Sequence, residues 1–220
     1  MKITACIFDM DGLLIDSERI ALRVFQEICG HFQCNEQLHL FNQLLGTNAK
    51  TTRQVLSDAL PPSVKVDEFI DLWSVNYAIQ TEKPIALKKG ILELLDYLES
   101  AGIPKAVATS TQTTMAIEKL DKSGIANRFS YIIGGDQVTL GKPAPEIYIK
   151  AANALNMGAT HCLALEDSPN GVKAAVAANM QVIQIPDTVQ PDDTLRSMGH
   201  NILEHALEVV TFLQSNTSRS

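Results

Sequence analysis

Two aspartates, Asp9 and Asp11, stand two positions apart at the end of a short apolar run over residues 4–8. The run is typical of a strand buried on both faces, which would bring both carboxylates to the C-terminal edge of a parallel sheet. Residues two apart in an extended chain point to the same side, and Gly12 allows a sharp turn after them. Paired carboxylates suit a divalent cation with oxygen ligands, and a plain acidic turn is the alternative that this stretch leaves open.

Three further segments place polar groups at the ends of predicted strands. Thr109 and Ser110 close an apolar run before a helix, where hydroxyls and backbone N–H groups can cradle a phosphate. Lys142 stands in a Gly-Lys-Pro turn before another helix, and Glu166 and Asp167 end a third apolar run. Taken singly, each group has a plainer interpretation. The two hydroxyl residues also fit a helix cap, the lysine fits a solvated surface position, and the two acids fit the acidic start of a helix. Because all of them fall at one predicted sheet edge, we interpret them as one site.

The elements that would position these groups alternate between strand and helix after residue 83. We predict strands over 105–109, 131–133, 162–165 and 181–185, and helices over 90–100, 114–123, 145–155, 171–178 and 202–213. This alternation indicates an α/β fold, with a parallel sheet covered by helices on both faces.

The stretch before residue 83 has helical periodicity and no clear strand. It predicts helices over 18–30, 38–45, 51–60 and 66–78. An inserted helical domain is the simplest account of this interruption. We therefore predict a catalytic core formed by residues 1–16 and 83–220, and a helical cap of residues 17–82 that lies above the sheet edge as a lid.

The composition limits the classes of function. The chain has 220 residues, 45% of them hydrophobic, and a formal net charge of −7 without a basic tract, which argues against nucleic acid as a partner. The first strand begins at once and no apolar run could span a membrane, so we expect a cytoplasmic protein without a signal peptide. Two cysteines and two histidines are close in sequence, but their spacing fits no common zinc motif: Cys29, His31, Cys34 and His39.

The four segments together resemble the motifs of the haloacid dehalogenase superfamily. The resemblance is to its phosphatase branch with a helical cap, which includes β-phosphoglucomutase-like and pseudouridine-5′-phosphatase-like proteins. It covers the whole predicted core, and the combination of motifs is highly specific. It implies a Rossmann-like α/β core and a phosphoryl-transfer enzyme that needs Mg²⁺.

The resemblance also implies a role for each motif residue. Asp9 matches the nucleophile that forms an aspartyl phosphate, and Asp11 matches the general acid and base. The phosphate-binding and charge-neutralising positions correspond to Thr109, the amide of Ser110, and Lys142. The magnesium ligands correspond to Asp9, the backbone carbonyl of Asp11, and Asp167, with Glu166 in support.

We therefore expect a Mg²⁺-dependent phosphatase that acts on a small phosphorylated metabolite, a sugar phosphate or a nucleotide-like ester, as a monomer. A phosphomutase of the β-phosphoglucomutase type is one alternative. Such mutases have a histidine and an arginine in the cap, and the positions that resemble theirs are occupied here by Ala21 and Ala49, which disfavours this alternative. A non-catalytic phosphate-binding module is the other. The cap should select the substrate, and its plausible contacts are Glu18, Thr47, Asn48 and Lys50.

Overall fold

The computed structural model of the protein describes residues 3–217. Its strands are β1 (Ala5–Phe8), β2 (Lys105–Ala108), β3 (Tyr131–Ile133), β4 (Cys162–Glu166), β5 (Gln181–Gln184) and β6 (Asn201–Ile202). They form one parallel sheet in the order β3-β2-β1-β4-β5-β6. The predicted α/β fold class with a parallel, Rossmann-like sheet is thereby confirmed.

Helices surround the sheet and fill the stretch after β1. They are α1 (Ser17–His31), α2 (Phe41–Leu44), α3 (Ala49–Ala59), α4 (Val66–Gln80), α5 (Ile91–Ser100), α6 (Thr113–Lys122), α7 (Glu146–Ala154), α8 (Pro169–Ala177), α9 (Asp193–Arg196) and α10 (Ala206–Thr217). Within the described residues, every helix is too short or too polar to cross a bilayer.

Strand β1 lies at the centre of the sheet and is buried on both faces. Cys6 and Phe8 belong to the hydrophobic cluster on one face, and Ala5 and Ile7 belong to the cluster on the other. All four side chains are fully buried. An apolar run without alternating polar residues is what a central parallel strand requires, because helices cover both of its faces.

The order of the strands reverses beside β1. The chain continues from β1 to β2 and β3 on one side, and β4, β5 and β6 lie on the other side. In open α/β sheets, ligands bind in the crevice at the carboxyl ends of the strands next to such a reversal. The first residues after β1, β2 and β4 are Asp9, Thr109 and Asp167, respectively. The topology therefore brings these three residues to the crevice.

Helices α1 to α4 belong to the stretch of residues 17–82, called the helical segment below. It has a hydrophobic cluster of its own, in which the Phe25 ring contacts those of Phe41, Phe69 and Trp73 at centroid distances of 5.1–5.6 Å. The two connections to the sheet lie side by side, because the Asp16 N–H donates to the Ala86 carbonyl at 2.9 Å. The division into a core of 1–16 and 83–220 and a cap of 17–82 stays a prediction.

Three local expectations need correction or lie outside the described residues. The predicted helix 202–213 begins too early, because Ile202 pairs with Gln184 as part of β6 and the helix begins at Ala206. Neither the two-residue β6 nor the four-residue α9 is long enough to give a periodic pattern. The predicted helix 38–45 is divided into a 3₁₀ helix, Asn35–Leu40, and α2. The expectations for residues 1–2 and for the end of the polar tail, 218–220, concern residues outside the described range.

Candidate active site

Asp9 and Lys142 form a buried ion pair at the carboxyl end of β1. The Lys142 ammonium donates to Asp9 Oδ1 and to Glu166 Oε1, at 2.5 Å in each case, and the lysine side chain is 1% exposed. Burial of a lysine is unfavourable unless carboxylates offset its charge, and here two of them raise the pKa of Lys142 above its ordinary value. The predicted lysine is thus fixed against the predicted nucleophile.

Glu166 is the group that holds Lys142 in place. Its Oε1 also accepts a hydrogen bond from the Tyr148 hydroxyl at 2.6 Å. Its Oε2 accepts from the backbone N–H groups of Asp167 and Ser168 and from the Ser168 hydroxyl, at 3.0–3.1 Å. Both oxygens therefore already accept strong hydrogen bonds, which favours the supporting role of Glu166 over direct binding of a metal.

Asp167 has an unsatisfied oxygen in the middle of an acidic group. Its Oδ1 is buried without a hydrogen-bond partner among the described residues, and one oxygen each of Asp9, Glu166 and Asp167 lies within 4.8 Å of the others. Burial and the charges of Glu18, Glu166 and Asp9 raise the pKa of Asp167 well above its ordinary value, and burial raises the pKa of Asp9 to about 7. A dication with oxygen ligands would offset this repulsion, so these residues fit Mg²⁺.

The Asp11 carboxylate lies apart from this acidic group and has its own donors. It accepts hydrogen bonds from the Ser17 hydroxyl at 2.6 Å, the Thr111 hydroxyl at 2.7 Å and the Lys119 ammonium at 3.0 Å. Burial opposes its charge, but Lys119 and the two hydroxyls hold the pKa of Asp11 below its ordinary value. Its side chain is not part of the acidic group that could hold a metal ion, and the prediction of a metal ligand at Asp11 concerns its backbone carbonyl.

Lys119, the cationic partner of Asp11, is not among the site residues predicted from the sequence. This lysine lies on α6, and its ammonium stands over the ring of Tyr77 from the helical segment, 4.9 Å from the centroid. Lys119 lies next to Ala116 and Leu120 on the buried face of α6. A lysine at an apolar position of an amphipathic helix is a signal that could have singled it out. Tyr77, Ser17 and Thr111 gave no comparable signal.

The segment after β2 forms the predicted phosphate-binding corner. Thr109 is 1% exposed, and its Oγ1 accepts a hydrogen bond from the Thr111 N–H at 3.1 Å. The Ser110 hydroxyl donates to the Gly46 carbonyl of the helical segment at 2.8 Å. This contact occupies the Ser110 hydroxyl, which is compatible with the prediction that its amide binds phosphate.

The loop between α2 and α3 lies against the sheet edge and closes a cavity over these groups. Besides the Ser110 contact, the Asn170 side-chain amide donates to the Leu45 carbonyl at 3.1 Å. The resulting site cavity has a volume of about 270 Å³. It is lined from below by polar residues of the sheet edge, which include Asp9, Asp11, Thr109, Ser110 and Asp167, and from above by the helical segment.

Of the four predicted cap contacts, Glu18 and Thr47 line the site cavity. Asn48 instead accepts a hydrogen bond from the Thr51 N–H as the N-cap of α3, and Lys50 is exposed. Neither of the latter two belongs to the lining, so the structure does not bring them to the cavity. The Thr47 hydroxyl donates a hydrogen bond to the Leu44 carbonyl at 2.7 Å, so its proton is already engaged within the helical segment.

Glu18 lies beside the acidic group rather than in the upper part of the cavity. Its Oε2 accepts a hydrogen bond from the Thr188 hydroxyl at 2.7 Å, and burial together with the charge of Asp187 raises the pKa of Glu18 to about 8. Gly12 permits this approach, because its φ is +85° and a Cβ atom there would lie 2.9 Å from Glu18 Cδ and still closer to the Asp167 carboxylate.

The close packing of Gly171 against Glu166 gives a prediction for stability. A Cβ atom at position 171 would overlap the Glu166 carboxylate. We expect Gly171→Ala to lower the free energy of unfolding by about 1–3 kcal/mol in urea denaturation, because the overpacking displaces a buried, hydrogen-bonded carboxylate. Gly30→Ala is the matched control, since its nearest neighbour is 3.9 Å away. Equal stability of the two variants would contradict the packing described here.

Comparison with known proteins gives the family of the chain. A family model described as haloacid dehalogenase-like hydrolase matches residues 6–185. A probable pseudouridine-5′-phosphatase of Drosophila melanogaster is 30% identical over 192 residues, which cover 84% of this chain and 83% of that protein. A phosphorylated carbohydrates phosphatase of Thermotoga maritima is 29% identical over 179 residues, which cover 81% of this chain and 83% of that protein.

A solved structure supports the same relationship. The crystal structure of a putative β-phosphoglucomutase from Thermotoga maritima superimposes with a TM-score of 0.75 and 27% identity, over 98% of this chain and 99% of that chain. The resemblance found in the sequence is thereby confirmed, and so is the prediction that the chain is an enzyme, a hydrolase with phosphatases among its relatives. The chain belongs to the haloacid dehalogenase-like hydrolase family.

Proposed function

We propose that the protein is a Mg²⁺-dependent phosphatase that hydrolyses a small phosphomonoester through an aspartyl-phosphate intermediate. The observation that carries the proposal is the convergence of Asp9, Asp167 and the buried Lys142 at one end of the sheet, beneath the site cavity. The relatives named as phosphatases support the reaction class. A cytoplasmic monomer remains our expectation for its state in the cell.

In the first step, a carboxylate oxygen of Asp9 attacks phosphorus while the bond from phosphorus to the ester oxygen breaks. The Lys142 ammonium, Thr109 and the Ser110 amide would bind the phosphoryl oxygens and stabilise the charge that develops on them. Asp11, which is ionised against its present partners, turns away from them, takes up a proton from solvent and donates that proton to the leaving oxygen. The products of this step are the free alcohol and phosphorylated Asp9.

In the second step, water attacks the same phosphorus and the bond to Asp9 breaks. Asp11, now ionised, accepts a proton from the water and releases it to solvent, so that inorganic phosphate leaves and both aspartates return to their starting states. Asp9, Asp167 and the carbonyl of Asp11 would hold Mg²⁺, which supplies positive charge that offsets the repulsion between a phosphate and the carboxylates.

The helical segment, residues 17–82, is the cap in this proposal. Its loop at Leu45 and Gly46 is tied to Asn170 and Ser110 by single hydrogen bonds to backbone carbonyls. Contacts of this kind are weak enough to open for substrate entry and specific enough to return the loop to one position. Closure excludes water from the phosphoryl transfer.

Metal binding is testable without any substrate. Adding MgCl₂ to metal-free protein is expected to raise the melting temperature, with a stabilisation of about 2.7 kcal/mol when free Mg²⁺ is about a hundred times its Kd. The response should disappear in Asp167→Asn and persist in Asp96→Asn, whose carboxylate pairs with Arg128 on the surface. If neither Mg²⁺ nor other divalent cations change the melting temperature of the wild-type protein, the proposed metal site is wrong.

Phosphate release from a panel of phosphomonoesters in the presence of Mg²⁺ tests the activity. The panel contains pseudouridine 5′-phosphate, nucleoside monophosphates, hexose phosphates and β-glucose 1-phosphate. Efficient release from at least one ester, lost on chelation of the metal, is the expected result. Absence of release from every ester would overturn the proposal.

A phosphomutase is the second candidate, because a putative β-phosphoglucomutase is among the similar structures. A mutase would convert β-glucose 1-phosphate into glucose 6-phosphate without net release of phosphate. A coupled assay for glucose 6-phosphate, run beside the phosphate assay, separates the two activities.

A further inference from the structure

The upper wall of the site cavity, formed by the helical segment, is mainly apolar and aromatic. Phe41, Leu44 and Leu45 line it from the α2 region, and Trp73 and Tyr77 line it from α4. The Trp73 Nε1–H donates to the Ala21 carbonyl at 3.3 Å, so the polar atom of the indole is already paired within the segment. What the tryptophan can offer a ligand is therefore the surface of its ring.

The charges around the cavity are unequal. Asp9, Asp11, Glu18 and Asp167 line it, whereas Lys119 is the single cation among its lining residues in the described chain. Lys119 belongs to α6 and not to the upper wall; its ammonium is paired with Asp11 at 3.0 Å and also lies 4.9 Å from the centroid of the Tyr77 ring, a contact that does not depend on the position of Asp11. The upper wall thus contributes no unpaired positive charge, and a second phosphate placed there would meet acidic neighbours without a cation to offset its charge.

The polar groups of the upper wall are also largely engaged with one another. The Thr52 hydroxyl donates to the Thr47 hydroxyl at 2.9 Å, because Thr47 itself donates to the Leu44 carbonyl, and the Gly46 carbonyl accepts from Ser110. Ser74 is exposed at the wall. A polyhydroxylated sugar held against this wall would find few free partners there, and each of its hydroxyl groups that loses water without gaining a partner weakens binding.

We propose that this site selects monophosphate esters whose alcohol part is uncharged and carries a planar ring, which packs on the wall formed by Trp73 and Tyr77, and that it rejects bisphosphates. The inference rests on the proposed function for the placement of the phosphate beside Asp9. It goes beyond that function by assigning the chemical class of the leaving group. Ring stacking of this kind changes affinity by about ten- to a hundredfold.

The first test compares two panels in the presence of Mg²⁺. The monophosphates with an uncharged planar ring, called ring-bearing, are pseudouridine 5′-phosphate, uridine 5′-phosphate and flavin mononucleotide. The esters without a planar ring, called ring-free although two of them contain a puckered sugar ring, are ribose 5-phosphate, glucose 6-phosphate and glycerol 3-phosphate. We expect the best ring-bearing ester to exceed every ring-free one in kcat/KM by at least about tenfold, or about 1.4 kcal/mol. Uridine 3′,5′-bisphosphate should fall below uridine 5′-phosphate by a similar factor.

Two pairs of variants test the residues. Trp73→Leu should lower kcat/KM for the best ring-bearing ester by at least about tenfold and leave ring-free esters within about threefold. Phe32→Leu is its control, an aromatic residue of the same segment that stacks on Phe69 and lies outside the cavity lining. Ser74→Lys should raise kcat/KM for the bisphosphate by about tenfold, and Val75→Lys, exposed and outside the lining, should not.

The outcomes separate this inference from the proposed function. If no ester is hydrolysed, the proposed function fails, and calorimetric binding of the same compounds to Asp9→Asn decides the inference by the same ratios. If esters are hydrolysed but a ring-free ester is best, or the bisphosphate equals the monophosphate, the inference is wrong and the phosphatase stands. Equal losses by Trp73→Leu on both panels would also overturn it.

Discussion

Asp9→Asn is expected to reduce phosphate release by at least about a thousandfold, because an amide cannot form the aspartyl phosphate. The variant should remain folded, since asparagine has the same shape and Lys142 keeps its contact with Glu166 at 2.5 Å. Steady-state release of phosphate measures the loss, and the melting temperature reports on the fold. Mass spectrometry after acid quenching should detect a phosphoryl adduct on the wild-type protein and none on the variant.

Asp96→Asn is the matched control for Asp9→Asn. Asp96 also pairs with a cation, at 2.6 Å from Arg128, but it is 70% exposed and belongs neither to the lining of the site cavity nor to the acidic group. Its substitution should leave both turnover and the adduct unchanged. Substantial turnover by Asp9→Asn, or an adduct that persists in it, would remove Asp9 from the role of nucleophile.

The sheet and the lower half of the site could be predicted because both are encoded locally. A strand buried on both faces reads as a continuous apolar run, and the residue that ends the run lies at the sheet edge whichever strand is its neighbour. Asp9, Thr109 and Asp167 are such residues, so their shared location follows from parallel pairing alone. Lys142 could be predicted as a site residue from its Gly-Lys-Pro turn. Its burial could not, because it depends on contacts with Asp9 and Glu166 that no local pattern contains.

The partners of Asp11 show what the sequence could not provide. Lys119 follows Asp11 by 108 positions, and Tyr77 reaches the same place from the helical segment. Helical periodicity indicates which face of α4 is apolar, but it does not say which part of that face packs on Phe25 and which part lines the site cavity. Trp73 does both, because its ring contacts Phe25 at 5.1 Å and also lines the cavity. That distinction depends on how the helical segment is placed over the sheet.

Lys142→Met is expected to lower the free energy of unfolding by about 3–5 kcal/mol and phosphate release by at least about a hundredfold. The lysine side chain is 1% exposed and pairs with Asp9 and Glu166, so its removal leaves two buried carboxylates without their cation. The same change removes positive charge from the site of phosphoryl transfer. Urea denaturation and steady-state kinetics measure the two effects on one preparation.

Lys105→Met is the control for burial of a lysine as such. Lys105 is 5% exposed and pairs with Glu99 at 3.0 Å, but it lies at the start of β2, at the opposite edge of the sheet from the site. The Lys105→Met variant should lose less stability than Lys142→Met, because Glu99 is 45% exposed and its carboxylate can be hydrated. The turnover of Lys105→Met should match that of the wild type.

The double variant Lys142→Met/Glu166→Gln separates stability from chemistry. Replacing both charged partners removes the unpaired charge of Glu166, so part of the lost stability should return. Turnover should not return, because neither methionine nor glutamine supplies the positive charge that a phosphoryl group requires beside Asp9. If turnover recovers together with stability, Lys142 acts only by maintaining the fold, and its assignment to the phosphoryl-transfer step is wrong.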